Sequence, residues 1–441
     1  MAAAGASSLL EEIESAVGAS RPREAVDAAV KGFASKAPAI DVIRAAARGA
    51  APRYDGLAPR GLAVLAAAAN LFPLSEPRFH PLPTLQAIAF IASEKRASAP
   101  AKAPLVVSGE VTHLGRSFLF AVRAGDLSEA ESIFLGMIDE GWERKMAGDM
   151  LFRAAVEDMG EAGRKFFLAV KAWQLARSLG FRDARAILRP AVQYLVKGPR
   201  DRTPYESIMS ALGKEWVDLE ALAGGGRPLD EAGRIRVAAI ASAPDPTACV
   251  QATLATLHDG YAAASITEGL AVEAAKRVVA SHGYDLGTAR ALMFCHAARF
   301  VLGFSRTPER LYSLFQAALR VRSPPPTIST ASEADPPGEG EALCHLAGEF
   351  DARNPTEAVT RTRSYVAHRY SAARMTEVLA NYAARDSAVA NDGINLLLAD
   401  VCATEFLATK APEIAMALAK MIAASPKDQA AYAAWAPLLV A

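Results

Sequence analysis

The chain carries one short pattern four times. An acidic residue stands within Ile40-Asp41-Val42-Ile43, Gly148-Asp149-Met150-Leu151, Thr267-Glu268-Gly269-Leu270 and Thr376-Glu377-Val378-Leu379. Six positions after each acid comes an alanine: Ala47, Ala155, Ala274 and Ala383. The acids are separated by 108, 119 and 109 residues. A self-similarity of this kind constrains the fold more than any local propensity does.

The match extends upstream. Arg23-Glu24-Ala25-Val26, Ser128-Glu129-Ala130, Pro246-Thr247-Ala248 and Pro355-Thr356-Glu357-Ala358 each have the composition of a helix start. Downstream, Arg306-Thr307-Pro308-Glu309 and Lys410-Ala411-Pro412-Glu413 open a further helix alike in copies three and four. Apolar residues recur at helical spacing, as in Ile133, Phe134, Met137 and Ile138. Aromatics make up only 7% of the chain while the apolar fraction is 51%, and much of that fraction is alanine, the strongest helix former. Alternating β-branched runs are almost absent.

These features predict an all-α protein of four tandem copies of a multi-helix repeat of about 110 residues, arranged two plus two in one globule or a curved array. The copies fall near 8–100, 110–200, 230–322 and 340–428. Ala223-Gly224-Gly225-Gly226-Arg227-Pro228 divides an N-terminal half, 1–222, from a C-terminal half, 228–441. The stretch 323–340 is rich in Pro, Ser, Gly and acid and reads as a flexible loop, and Ala97 to Pro104 joins copies one and two.

Charge excludes some functions. Lys+Arg and Asp+Glu are equal at 48 each, so no basic face for nucleic acid is expected. No apolar run is long enough for a membrane span, and the N-terminus lacks the pattern of a signal peptide, so a cytoplasmic protein is expected. Cys249, Cys295, Cys344 and Cys402 form no CxxC pair and read as small buried thiols. There is no Walker loop, GxGxxG, GxSxG elbow or HExxH.

Two sets of residues invite a chemical reading. The repeat acids, Asp41, Asp149, Glu268 and Glu377, are expected near helix N-termini, where unpaired N–H groups and the helix dipole favour a carboxylate. The alternative is a ring of four carboxylates around a metal. The alanines six positions on are expected where two helices approach closely.

The second set comes from the repeat's second long helix. Aligning Ala169-Val170-Lys171-Ala172-Trp173 with Phe294-Cys295-His296-Ala297-Ala298 and Leu398-Ala399-Asp400-Val401-Cys402 places Lys171, His296 and Asp400 at one position, with Ala67 in copy one. In a closed array such positions face a common pseudo-axis. The trio then forms an acid–base site in an apolar pocket lined by Ala, Leu, Phe and Trp173, or else a buried Lys–Asp ion pair with a hydrogen-bonded histidine. In the catalytic version His296 is base or ligand, Asp400 its partner, and Lys171 stabilises a developing oxyanion. His80, His113, His258, His282, His345 and His368 are scattered and read as surface or filler residues.

The helix around His296-Ala297-Ala298-Arg299-Phe300, with an approximate match across the repeat's other helices, resembles the questin oxidase-like proteins. These are all-helical, and some act as oxygenases on polyketide-derived aromatic compounds. Similar helical segments accompany Rieske-type domains in bacteria, but no Rieske cysteine/histidine pattern occurs here. The resemblance implies an oxidoreductase acting on a small apolar or aromatic molecule. It also implies a non-haem iron held by histidines with a lysine nearby, for which His296 and Asp400 are the ligands to examine if any cofactor is present. Ala67 and Asp400 depart from a histidine-rich set. The alternative function is a non-catalytic helical-repeat scaffold or partner subunit, whose partner is a protein rather than a small molecule.

Overall fold

A computed structural model describes residues 2–102, 104–139, 144–326 and 338–439. Among these residues the chain is entirely helical, with 23 α-helices, four short 3-10 turns and no strand. A single isolated bridge joins Arg227 to Tyr261. Among the same residues, no helix is long and apolar enough to cross a membrane. Most of the expected flexible loop, residues 327–337, lies outside the described residues.

The expected helix starts are observed. Helices begin at Pro22, Leu127, Pro246 and Pro355, and those at Pro246 and Pro355 are capped by Asp245 and Asn354, whose side chains accept a backbone N–H. Proline at the first helical position costs no hydrogen bond, since its N–H would be unpaired anyway. A further helix runs over Leu311–Val321 and another over Pro412–Ala424.

The chain folds into two compact units. The first comprises residues 1–103, 171–191 and 330–441; the second comprises 104–170 and 192–329. The expected halves, 1–222 and 228–441, cut across this grouping. Segments from the two ends of the chain share a core in the first unit, and the middle of the chain forms the second. Pairing between distant helices decides this, and the glycine-rich stretch between the halves carries no information about it.

In the first unit the opening helix Ala2–Gly18 packs on Pro22–Ala34 and Ala39–Ala50. The approach to the latter is close: a Cβ on Gly49 would lie 2.3 Å from the Glu14 carbonyl oxygen, so only glycine fits there. Arg60–Leu71 packs on Pro81–Ser93, and the C-terminal helix Ile394–Thr409 lies on Arg60–Leu71. Pro355–Ala367 pairs with Pro412–Ala424. In the second unit the main pairs are Val111–Ala124 with Leu127–Asp139, and Ala263–Ala280 with Leu286–Phe304. Leu286–Phe304 also packs on Leu311–Val321.

Ala47, Ala155, Ala274 and Ala383 are all fully buried, as close helix contacts require. Replacing Ala155 or Ala274 by Leu would overpack its contact at a cost of roughly 1–3 kcal/mol.

Candidate functional site

The four aligned positions of the second long helix are all buried. Ala67 lies in Arg60–Leu71, Lys171 in Gly160–Ser178, His296 in Leu286–Phe304 and Asp400 in Ile394–Thr409. Apolar neighbours along each helix drive the burial, and the polar side chains are carried in with them.

Lys171 and Asp400 meet inside the first unit. The Lys171 ammonium donates to Asp400 Oδ2 at 2.6 Å and to Gln174 Oε1 at 3.0 Å. The Asn70 amide donates to both Asp400 oxygens, at 3.1 and 3.2 Å. Lys171 is 0% and Asp400 2% exposed, so each charge depends on the other and on these amides. Asn70 and Gln174 were not singled out from the sequence. Each stands three residues after its aligned position, Ala67 or Lys171, which puts it on the same helix face one turn on. That spacing was the available signal.

His296 belongs to the second unit, where it is buried on Leu286–Phe304. One turn on, Arg299 pairs with Glu268 at 2.7 Å. Trp173, expected to line a pocket, packs edge-on against Phe181 in the first unit's core with ring centroids 5.4 Å apart.

The donor set does not fit an iron. Among the described residues no group of three or more His, Cys, Asp or Glu side chains gathers as a metal site would need. The Asp400 oxygens already accept from an ammonium and an amide.

The repeat acids do not share an environment, and only Asp41 lies in a first helical turn, at the start of Ala39–Ala50. Asp149, Glu268 and Glu377 lie one turn further in, beyond the unpaired N–H groups, so the helix-start reading fails for them. Asp41 pairs with Arg44 at 2.5 Å. In the second unit Asp149 is buried beside Ser305, Arg310 and Glu309, and burial pushes its carboxyl up to about 6.

Glu377 lines an open cleft of about 460 Å³ in the first unit. The cleft lies between the turn Pro77–Phe79 and the helices Glu339–Asp351 and Ala372–Ala383. Phe79, Leu343, Val378 and Tyr382 form its apolar wall, and Arg78, Arg374 and Arg385 stand around it. Arg78 lies over the Phe79 ring at 4.7 Å and Arg385 over the Tyr382 ring at 3.8 Å. Tyr382 also packs on Phe350, with centroids 4.9 Å apart, and burial raises its phenol above the usual range. Asn381 steadies the turn by accepting the Glu76 N–H at 3.2 Å. Cys344, expected to be a buried thiol, is exposed on this cleft, while Cys249, Cys295 and Cys402 are buried.

Comparison with protein-family models, with curated proteins and with solved structures finds no match to this chain.

Proposed function

We propose that this is a helical-repeat protein that binds a small aromatic molecule in the cleft of its first unit. In this reading the cleft lies between copies one and four of the repeat, since its walls come from residues 76–79 and 340–385. The supporting observation is its make-up. It has substrate-sized volume, an aromatic and aliphatic wall, and a few fixed polar groups, which is how small-molecule sites are usually built. A flat ring gains from packing on the aromatic and aliphatic wall, and the arginines set its orientation.

Lys171 and Asp400 are structural in this reading: the pair ties helices together and does no chemistry. The proposal stops at binding, because the oxidation that the resemblance implies is carried by no residue of the cleft.

The test is a fluorescence titration with 2-naphthamide, an uncharged aromatic probe. The wild-type protein should bind it. Val378→Trp, which fills the cleft, should weaken binding at least tenfold. No binding by the wild type of either this amide or the matching acid, 2-naphthoate, or equal binding by both proteins, overturns the reading. In those cases a scaffold for a protein partner becomes the better account.

A further inference from the structure

We propose that the molecule bound in the first unit's cleft carries a carboxylate, and that Arg385 is the side chain that receives it. This rests on the cleft being a ligand site and adds the ligand's charge to that reading.

The three cleft arginines differ in what answers their charge. Arg78 donates to Glu76 at 3.1 Å, and Arg374 donates to Glu339 at 2.7 Å. For Arg385, the one ion-pair contact among the described residues is a 3.7 Å approach to Asp351. That distance is beyond a hydrogen bond, and the Asp351 side chain is itself 59% exposed. The Arg385 side chain is only 19% exposed, and its Nε is buried with no hydrogen-bond partner. A guanidinium this far withdrawn from water, with its Nε–H unmatched, is costly to maintain.

Its stacking explains what remains open. Arg385 lies 3.8 Å over the Tyr382 ring and 5.2 Å from the Tyr432 ring. The Tyr382 ring lies against the guanidinium and limits its movement. The N–H donors project from the edge of the guanidinium plane. A carboxylate can accept two of them side by side, a match of shape as well as charge.

The net charge around the cleft does not select an anion: Arg78, Arg374 and Arg385 face Glu76 and Glu377, with Glu339 on Arg374 and Asp351 3.7 Å from Arg385, so the selection rests on Arg385 itself. An aromatic carboxylate satisfies both parts of the cleft at once, the ring against the wall and the anion on Arg385.

The experiment compares 2-naphthoate with 2-naphthamide, which have nearly the same shape and differ in charge. The wild-type protein should bind the acid at least about tenfold more tightly, as expected of a charge-assisted pair. Arg385→Gln should abolish that preference while still binding the amide. Equal affinity for acid and amide in the wild type overturns the inference and leaves the cleft reading intact. That comparison needs no variant, so a poorly folded Arg385→Gln cannot obscure it. A preference that persists in a folded Arg385→Gln also overturns the inference. If neither probe binds, the cleft reading fails and the inference fails with it.

Discussion

Two buried lysine–aspartate pairs sit on one helix, Gly160–Ser178, and they are built in opposite ways. In the second unit Lys165 donates to Asp158 at 2.6 Å, only seven residues away, and to the carbonyls of Leu195 and Gly198, each at 3.1 Å. Asp158 Oδ1 also accepts the backbone N–H of Gly160 and of Asp201. In the first unit Lys171 reaches Asp400 across 229 residues; Lys171 also donates to Gln174, and Asp400 accepts from the Asn70 amide. The first pair closes a local knot of backbone. The second joins distant parts of the chain. Both are desolvated, yet Asp400, with the Asn70 amide, has less to fall back on than Asp158, with two backbone N–H groups, when its lysine goes.

The largest expected effect follows from that. Lys171→Met should leave the Asp400 charge buried with only the Asn70 amide, and should cost about 3–5 kcal/mol in urea unfolding. Adding Asp400→Leu should recover most of the loss, because the uncompensated charge is then gone. If the double variant is as unstable as the single one, the pair contributes more than mutual neutralisation.

The next test uses a buried acid with no lysine. Glu94 Oε2 accepts from the Tyr54 hydroxyl at 2.6 Å and from the Gly61 N–H at 2.9 Å, with Arg60 3.5 Å away. Burial pushes its carboxyl from 4.5 up to about 7, against the opposing hydrogen bond and the arginine. A raised folded-state value makes the acid form the stabilising one. That contribution is full below pH 4.5 and is lost as pH rises through 7, by roughly 3 kcal/mol in all. Glu94→Gln should therefore flatten the stability profile between pH 5 and 8. A variant that keeps the wild-type slope would assign the pH dependence to another group, Asp149 being the next to examine.

Lys165→Met should cost less than its counterpart, roughly 2 kcal/mol, since Asp158 keeps two backbone donors. The comparison breaks if the two lysine variants lose stability equally.

How much of this was legible in the sequence depends on the range of the contact. Helix starts at Pro22, Leu127, Pro246 and Pro355 are local events, written in capping residues and prolines. The register that aligns Lys171 with Asp400 singles out both members of a pair 229 residues apart, since both interrupt apolar helices that are buried. It did not find Asn70 and Gln174, which look like ordinary polar interruptions until their partners are known. The cleft was invisible for a different reason. Phe79, Leu343, Tyr382 and Arg385 come from segments whose pairing is set by the grouping of the two chain ends in one core. The contact grouping differs from the halves expected on either side of the glycine-rich stretch for the same cause. Periodicity shows which face of a helix is buried, and it is silent about what buries it.

The smallest effect probes the local knot itself. Lys165 is delivered to Asp158 by a turn in which Glu161, Ala162 and Gly163 have φ of 50, 62 and 79°. Gly163 has to be glycine: a Cβ there would lie 2.6 Å from the Phe294 ring. Ala162 has no such reason to differ from glycine, and a left-handed L-residue costs roughly 1–2 kcal/mol. Ala162→Gly relieves that strain and gives back part of it through the greater freedom of the unfolded chain. The net expectation is a gain of about 0.5–1 kcal/mol in urea unfolding, with no change in the Lys171 variant's deficit. A loss of stability would show that the Ala162 methyl is held by packing in the turn. Coupling to Lys171→Met would show that the two pairs on this helix are not independent, and the contrast between a local knot and a long-range tie would need to be redrawn.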